Sequence, residues 1–196
     1  MRLLVATRNR HKLTEIRQIF SVPGLELVAA DEIEGLPAEV EEDADTFEGN
    51  ALKKARELCQ ASGLWTLADD SGLEVVALDN APGVYSARYA GEPCCYTANN
   101  VKLLHALAGV ADRRARFRSV IALCAPDGRE WTVEGACVGH IIQEARGVNG
   151  FGYDPIFVPD GHDQTFAELK VEAKNGLSHR GQALRRAALA WRNMLS

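Results

Sequence analysis

The pattern of apolar and polar positions in the first third of the chain predicts two strands and two helices. The apolar runs "RLLVAT" and "LELVAA" (25–30) are typical of short strands buried in a sheet. Between them, apolar residues recur at helical spacing, at Leu13, Ile16 and Ile19 or Phe20. An acidic loop from Glu39 to Asp45 precedes a second predicted helix, from about Thr46 to Ser62.

The rest of the chain predicts further strands and two more helices. Strands are expected around Thr66–Ala68 and Leu73–Leu78, before the loop "NAPGVYSARYAGEP" and a helix from about Ala98 to Leu107. The long runs "ARFRSVIALCAP" and "EWTVEGACVGHII" flank the turn "PDGR", and a last helix runs from about Ser178 to Leu195. The pattern predicts an α/β fold with a mixed sheet that includes a hairpin.

Composition and charge narrow the class of protein. A chain of 196 residues with 46% hydrophobic residues can bury roughly 70% of its unfolded surface, so we expect one domain over 1–196. The net charge of -5 argues against nucleic acid or an anionic membrane as a partner, because both need broad positive potential. Basic clusters are therefore interpreted as local binding sites.

The cysteines and the apolar runs bear on the compartment. Five cysteines without a CxxC pair predict neither a disulfide framework nor a zinc site, which favours a reducing cytoplasm. The run "MRLLVAT" is too short for the core of a signal peptide, and no apolar run approaches the ~20 residues of a membrane span.

The stretch "LADDSGLEV" sets Asp69 and Asp70 side by side after an apolar run. Two adjacent ionised carboxylates repel each other unless a cation or a shared proton offsets the repulsion. A hard metal ion with oxygen ligands is one explanation for the pair. A solvated turn is the other, because Asp, Ser and Gly are common turn formers.

The loop "TRNRHK" joins a predicted strand to a helix. Backbone N–H groups and the positive end of the helix would face a ligand there, and Lys12 adds a mobile positive charge, a combination that suits a polyphosphate. An ordinary polar loop in which Asn9 caps the helix is the alternative.

The helix after Thr46 carries a lysine on its buried side. Successive turns of 100° place Lys54 among the apolar positions beside Asn50, whereas Lys53 points to solvent. Lys54 either extends along the rim of the core or faces a cleft that holds an anion.

Two segments near the C-terminus resemble binding loops. In "KNGLSHRGQ", His179 and Arg180 follow an N-cap position, where cations oppose the helix dipole, so an anionic or polar group is expected to compensate. Lys174 adds a further donor. In "GFGYDPIF", Phe151 or Tyr153 either stacks on a flat base or anchors the core.

Taken in order, TxNxxK, TFxxNA, ADDSGLEV, GVYSARYAG, GFGYDPIF and SHRGQAL resemble the inosine/xanthosine triphosphate pyrophosphatases, from Leu3 to the last helix. The resemblance implies Mg²⁺-dependent hydrolysis of non-standard purine nucleoside triphosphates (ITP, dITP, XTP) to the monophosphate and pyrophosphate. It also implies a homodimer and an elongated central sheet with flanking helices, in two lobes around a substrate cleft.

The resemblance further implies a role for each residue that matches a family motif. Asp70 corresponds to the proton acceptor, and Glu42, Asp69 and Asp70 correspond to metal ligands, with Glu41 as an alternative to Glu42. Substrate contacts are implied for a larger set: Thr7, Arg8, Asn9, Arg10, His11, Lys12, Lys54, Ser71, Phe151, Gly152, Tyr153, Asp154, Lys174, His179 and Arg180.

The chain departs from the family pattern at two positions. Arg8 stands where the family commonly has Gly, and Gly49 stands where it has Glu. Because a Glu three residues after Thr46 would complete a capping box, Gly49 predicts a looser helix start.

Two other functions remain open from the residues alone. A Mg²⁺ phosphohydrolase of the aspartyl-phosphate type also uses two aspartates, but it spaces them apart as nucleophile and acid. A nucleic-acid-binding module is the non-enzyme alternative, based on the run "RRARFR" (113–118).

Overall fold

The computed structural model describes residues 1–195 as a mixed six-stranded sheet with flanking helices. The strands are β1 (Arg2–Val5), β2 (Glu26–Ala29), β3 (Trp65–Val75), β4 (Arg114–Cys124), β5 (Glu130–Ile141) and β6 (Phe157–Pro159). The helices are α1 (Arg10–Ile19), α2 (Phe47–Ser62), α3 (Tyr96–Ala106), α4 (Val171–Leu177) and α5 (His179–Leu195). The predicted α/β class is confirmed.

The strand order in the sheet is β2-β1-β3-β4-β5-β6. β1 pairs in parallel with β2 and β3, with Leu3 opposite Leu27 on one side and Trp65 on the other. β5 and β6 pair antiparallel. A sheet with both kinds of pairing matches the predicted departure from strict strand–helix alternation.

The chain divides into two compact units. Unit 1 comprises Met1–Asp70, Ser119–Gly135 and residues 180–195, and unit 2 comprises Ser71–Arg118 and Ala136–His179. The core of unit 1 packs the apolar face of α5 with β1 and β3, including Leu184, Trp191 and Leu67. In the core of unit 2, the Phe117 ring lies edge-on to Phe157, with centroids 4.8 Å apart.

Helix α2 shows how local signals set its ends. The Thr46 hydroxyl accepts a hydrogen bond from the Gly49 N–H at 3.0 Å, so the Thr half of the capping box is present. The helix ends at Gly63, whose φ of 68° lies in the left-handed region that glycine adopts without a Cβ penalty.

The structure corrects the prediction of two strands separated by a possible turn at the aspartate pair. β3 runs without interruption from Trp65 to Val75, and Asp69 and Asp70 lie buried inside it. The turn interpretation rested on local propensity and is wrong, because cationic partners from distant segments allow the two carboxylates to be buried in a strand. The sequence patterns did not predict α4 and β6, which are seven and three residues long.

Candidate active site

Asp69 is the most enclosed carboxylate of unit 1. Its side chain has no exposed area, and its Oδ2 lies 2.9 Å from Lys12 Nζ and 3.2 Å from Arg180 Nη2. Its Oδ1 accepts a hydrogen bond from the Ser119 hydroxyl at 2.6 Å. Burial alone would raise the pKa of Asp69, but the charges of Arg180 and Lys12 outweigh it and hold the pKa well below the usual range.

Arg180 joins this carboxylate to a second one. Its Nη1 lies 2.6 Å from Oε2 of Glu15 on α1, and both side chains are buried. Burial lowers the pKa of Arg180, but Asp69 and Glu15 outweigh this effect and raise it. The negative charge that was expected to compensate for a cation in the first turn of α5 is therefore provided by the chain itself.

Asp70 has a different environment from its neighbour. Its Oδ1 accepts a hydrogen bond from Lys54 Nζ at 3.1 Å, whereas its Oδ2 is buried and has no hydrogen-bond partner within residues 1–195. Burial outweighs the charge of Lys54 and raises the pKa of Asp70. Asp70 is therefore the carboxylate of this pair that has an oxygen available for a ligand.

Lys54 lies on the buried side of α2, as its angular position predicted. Its ammonium group contacts Glu42 Oε1 at 2.8 Å and the backbone oxygen of Asp69 at 2.9 Å, in addition to Asp70. Burial lowers the pKa of Lys54, but Asp70 and Glu42 outweigh it and raise the pKa. The neighbouring Lys53 pairs instead with Asp43 at 2.7 Å.

The loop before α1 positions Lys12 by capping the helix. The Asn9 Oδ1 accepts hydrogen bonds from the backbone N–H groups of His11 and Lys12, at 3.0 and 3.3 Å. The alternative interpretation of Asn9 as a cap is thus confirmed, and the capped turn also directs Lys12 to Asp69. Among the other loop residues, Thr7 accepts a hydrogen bond from the Asn9 N–H, while Arg8, Arg10 and His11 are exposed.

We call the seven charged side chains connected in this way the charged cluster of unit 1. Four are carboxylates and three are cations: Glu15, Glu42, Asp69 and Asp70 with Lys12, Lys54 and Arg180. A largely buried cluster with more carboxylates than cations can accept a further positive charge.

Some carboxylates of this cluster are suited to hold a metal ion, and others are not. Among residues 1–195, no three His, Cys, Asp or Glu side chains lie close enough together to form a metal site. Mg²⁺ is commonly held by one or two carboxylates with substrate phosphates, so three are not required. Asp70 and the partly exposed Glu42 fit that requirement, Glu41 is exposed, and both oxygens of Asp69 already contact protein donors.

Unit 2 carries the second group of predicted residues, in what we call the aromatic turn (residues 150–154). The Asp154 Oδ2 accepts hydrogen bonds from the Phe151 N–H at 2.8 Å and from Lys174 Nζ at 2.6 Å. Lys174 Nζ also lies 5.2 Å from the centroid of the Phe151 ring. A Cβ at Gly150 would clash with Asp154 Oδ2, and the φ of 74° there lies in the left-handed region, so both features favour glycine.

Two other predicted residues of unit 2 are part of its core. The Tyr153 hydroxyl is buried and donates to the Ser86 backbone oxygen at 2.9 Å, which confirms the interpretation of Tyr153 as a core anchor. The His179 ring stacks on the Phe117 ring, with centroids 4.7 Å apart and an angle of 9° between the ring planes. Ser71 is only partly buried.

Glu15 and Ser119 are site residues that the sequence patterns did not predict. Glu15 lies three residues after Lys12, so helical spacing places both on one side of α1. Ser119 shares a strand face with the buried Ala115 and Phe117 of β4. A polar residue on an apolar face was the available signal in each case.

The basic run that favoured nucleic-acid binding is paired with carboxylates of the chain. Arg116 and Arg118 both contact Glu74, and Arg114 contacts Asp112 at 2.7 Å. These pairs reduce the positive potential that a phosphate backbone would need. In the part of the chain that the structure describes, no helix is both long enough and apolar enough to cross a membrane.

The fold and the charged cluster define an α/β protein with a buried acid–base site suited to a cation and phosphate groups. The model of the Ham1 family matches residues 3–190, and the chain belongs to this family. The family resemblance inferred from the motifs is thereby confirmed.

Individual relatives agree with this assignment. The dITP/XTP pyrophosphatases of Desulforamulus reducens and Geobacter sulfurreducens are each 52% identical to this chain. The alignments cover 95% of this chain and 94% of the first protein, and 93% of this chain and 92% of the second. The structure of the Staphylococcus aureus Ham1 protein matches with a TM-score of 0.89 and 39% identity, over 99% of this chain and 100% of that one.

Proposed function

We propose that this chain is a Mg²⁺-dependent pyrophosphatase that hydrolyses ITP, dITP and XTP to the nucleoside monophosphate and pyrophosphate. The observation that carries the proposal is the buried Asp70, whose Oδ2 lacks a partner within residues 1–195, beside Lys54 and Glu42. The names of the relatives, dITP/XTP pyrophosphatase, support the substrate class.

In this proposal Asp70 and Glu42 hold the metal ion. When bound, Mg²⁺ would supply positive charge beside the phosphate oxygens and promote attack by water. Asp70 would orient the attacking water and take its proton, because its Oδ2 has no protein partner within residues 1–195. Asp69 would act indirectly, by fixing Lys12 and Arg180.

The cations of the cluster would bind the phosphates. Lys12 lies in the first turn of α1, where backbone N–H groups also favour an anion, and Lys54 lies beside Asp70. Both ammonium groups would offset the charge that develops on the leaving pyrophosphate. No covalent intermediate is required, which separates this proposal from the aspartyl-phosphate chemistry.

We assign selection of the base to Phe151, with His179 or nearby N–H groups of unit 2 as donors to a 6-oxo oxygen. Hypoxanthine and xanthine offer that acceptor, whereas the 6-amino group of adenine would place a donor against donors. Stacking alone would not separate these purines, so the discrimination of about 10² to 10⁴ must come from hydrogen bonds.

The test is a panel of ITP, XTP, GTP and ATP, with Mg²⁺ or with EDTA, followed by identification of the phosphate product. We expect kcat/KM for ITP and XTP well above that for GTP, ATP lowest, release of pyrophosphate, and loss of turnover in EDTA. Release of orthophosphate, or a trapped phospho-aspartate, would contradict the proposal. Comparable rates for ATP and ITP would remove the base-reading role alone.

We also propose that the chain forms a homodimer, as the family resemblance implies. Light scattering on the purified protein tests this directly: a mass near 21.3 kDa would mean a monomer and would contradict the proposal.

A further inference from the structure

Helix α3 contacts the aromatic turn through two residues that have no role so far. Tyr96 and Asn100 lie four positions apart and therefore share one face of α3. The Tyr96 and Phe151 ring centroids are 5.9 Å apart at an angle of 49°. The Asn100 Nδ2 donates a hydrogen bond to the Gly152 backbone oxygen at 3.0 Å.

The hydrogen bond from Asn100 acts on an unusual backbone position. Gly152 has a φ of 64°, in the left-handed region, so its carbonyl direction depends strongly on the local turn geometry. The other amide atom of Asn100, Oδ1, is buried and has no partner within residues 1–195. Within residues 1–195, the polar contact of the Asn100 side chain is therefore its hydrogen bond to the Gly152 oxygen.

Helix α3 is itself firmly held, which makes it a suitable support. The neighbouring Asn99 is 1% exposed; it accepts from the Ala90 N–H at 2.7 Å and donates to the Ala87 oxygen at 3.0 Å. Leu103 is fully buried in the core of unit 2. Asn99 thus anchors the helix, while Asn100, the next residue, contacts the turn.

We propose that Tyr96 and Asn100 are positioning residues that hold Phe151 for stacking on the purine base. The proposal rests on the proposed function, because it takes Phe151 as the stacking residue. Stacking is present in both the ground state and the transition state, so loss of positioning weakens uniform binding. The consequence is a higher KM for ITP with little change in kcat.

The decisive variant is Asn100→Asp, which removes the donor but keeps the size of the side chain. We expect Asn100→Asp and Tyr96→Ala each to raise KM for ITP about 3- to 10-fold, the effect of losing one neutral contact, with kcat within about twofold. Tyr96→Phe keeps the ring and should keep the KM. Val101→Ala, at a residue that is 63% exposed on the same helix, is the matched control.

A second measurement separates this proposal from the proposed function. Amide hydrogen exchange over residues 148–154, without nucleotide, should be about 3- to 10-fold faster in Asn100→Asp than in the unsubstituted protein or in Val101→Ala. This readout does not need enzymatic activity, so it holds even if ITP is not the substrate. Wild-type KM in Asn100→Asp, or unchanged exchange over this segment, would overturn the positioning role.

Discussion

The charged cluster of unit 1 and the aromatic turn of unit 2 both bury lysine beside aspartate, but they differ in charge balance. In the cluster, four carboxylates share three cations, and one oxygen of Asp70 has no partner within residues 1–195. In the turn, Asp154 and Lys174 pair with each other, and Asp154 also holds a backbone N–H. The charged cluster can therefore bind a further cation, whereas the balanced pair of Asp154 and Lys174 stabilises the aromatic turn.

The same contrast recurs between two neighbouring residues of the cluster. Asp69 has a partner at both oxygens, and the nearby cations lower its pKa. Within residues 1–195, Asp70 has Lys54 as its partner at Oδ1 and none at Oδ2, and burial raises its pKa. We therefore assign a structural role to Asp69 and a catalytic role to Asp70. Three of the four predictions below test that division, and one tests the placement of Lys54.

The largest expected effect is on turnover in Asp70→Asn. A general base typically accelerates a reaction by about 10²- to 10⁴-fold, so kcat for ITP should fall by about 10²-fold or more. The fold should persist, because Asn keeps the shape and removes a charge that burial disfavours. Steady-state kinetics with circular dichroism checks both points, and Asp43→Asn, at an exposed aspartate, is the control. Near-normal turnover in a folded Asp70→Asn protein would remove Asp70 from the mechanism.

The second prediction concerns the stability of Asp69→Asn. Removal of this charge takes the shared partner from the buried Arg180 and the partly exposed Lys12, which should lower the free energy of unfolding by about 3–5 kcal/mol. Urea denaturation of this variant beside Asp70→Asn measures the difference. If the two variants were equally stable, the assignment of structural work to Asp69 would be wrong.

The third prediction compares two adjacent lysines on α2. Lys54→Ala removes the ammonium group between Asp70 and Glu42, and kcat should fall on the order of 10²-fold. Lys53→Ala breaks only a pair with the exposed Asp43 and should leave kcat nearly unchanged. Parallel assays with ITP measure the ratio; equal losses in the two variants would contradict the inward placement of Lys54 as the cause.

The smallest expected effect is a pH dependence of stability at Asp69. Its pKa in the folded state lies below the value of 3.8 for the free side chain, so the unfolded chain binds more protons as the pH falls. The stabilisation is present above about pH 4 and should be lost progressively as the pH falls below that value. The urea midpoint of the unsubstituted protein should exceed that of Asp69→Asn at pH 4, and the difference between the two midpoints should be smaller at pH 2. A constant difference would mean that the pKa is not lowered.

Much of the fold could be predicted because the signals are local. The spacing of Leu13 and Ile16 predicted α1, and the angular position of Lys54 predicted its buried side. The candidate site was only partly predictable: Lys12, Lys54 and Asp70 were identified, whereas Glu15 and Ser119 were not. Glu15 on α1 contacts Arg180 on α5, and Ser119 on β4 contacts Asp69 on β3. Because these partners are distant along the chain, the residues next to Glu15 and Ser119 in sequence do not indicate them.

The class of fold, the family motifs and the side of α2 on which Lys54 lies could be inferred from sequence, because helical phase and strand alternation depend on residues a few positions apart. The continuation of β3 through Asp69 and Asp70 depends instead on long-range contacts. Arg180 is 111 residues from Asp69 and 165 from Glu15 along the chain. Whether an acidic pair forms a turn or a buried strand depends on the free energy of such distant ion pairs, which offset the cost of desolvating the carboxylates.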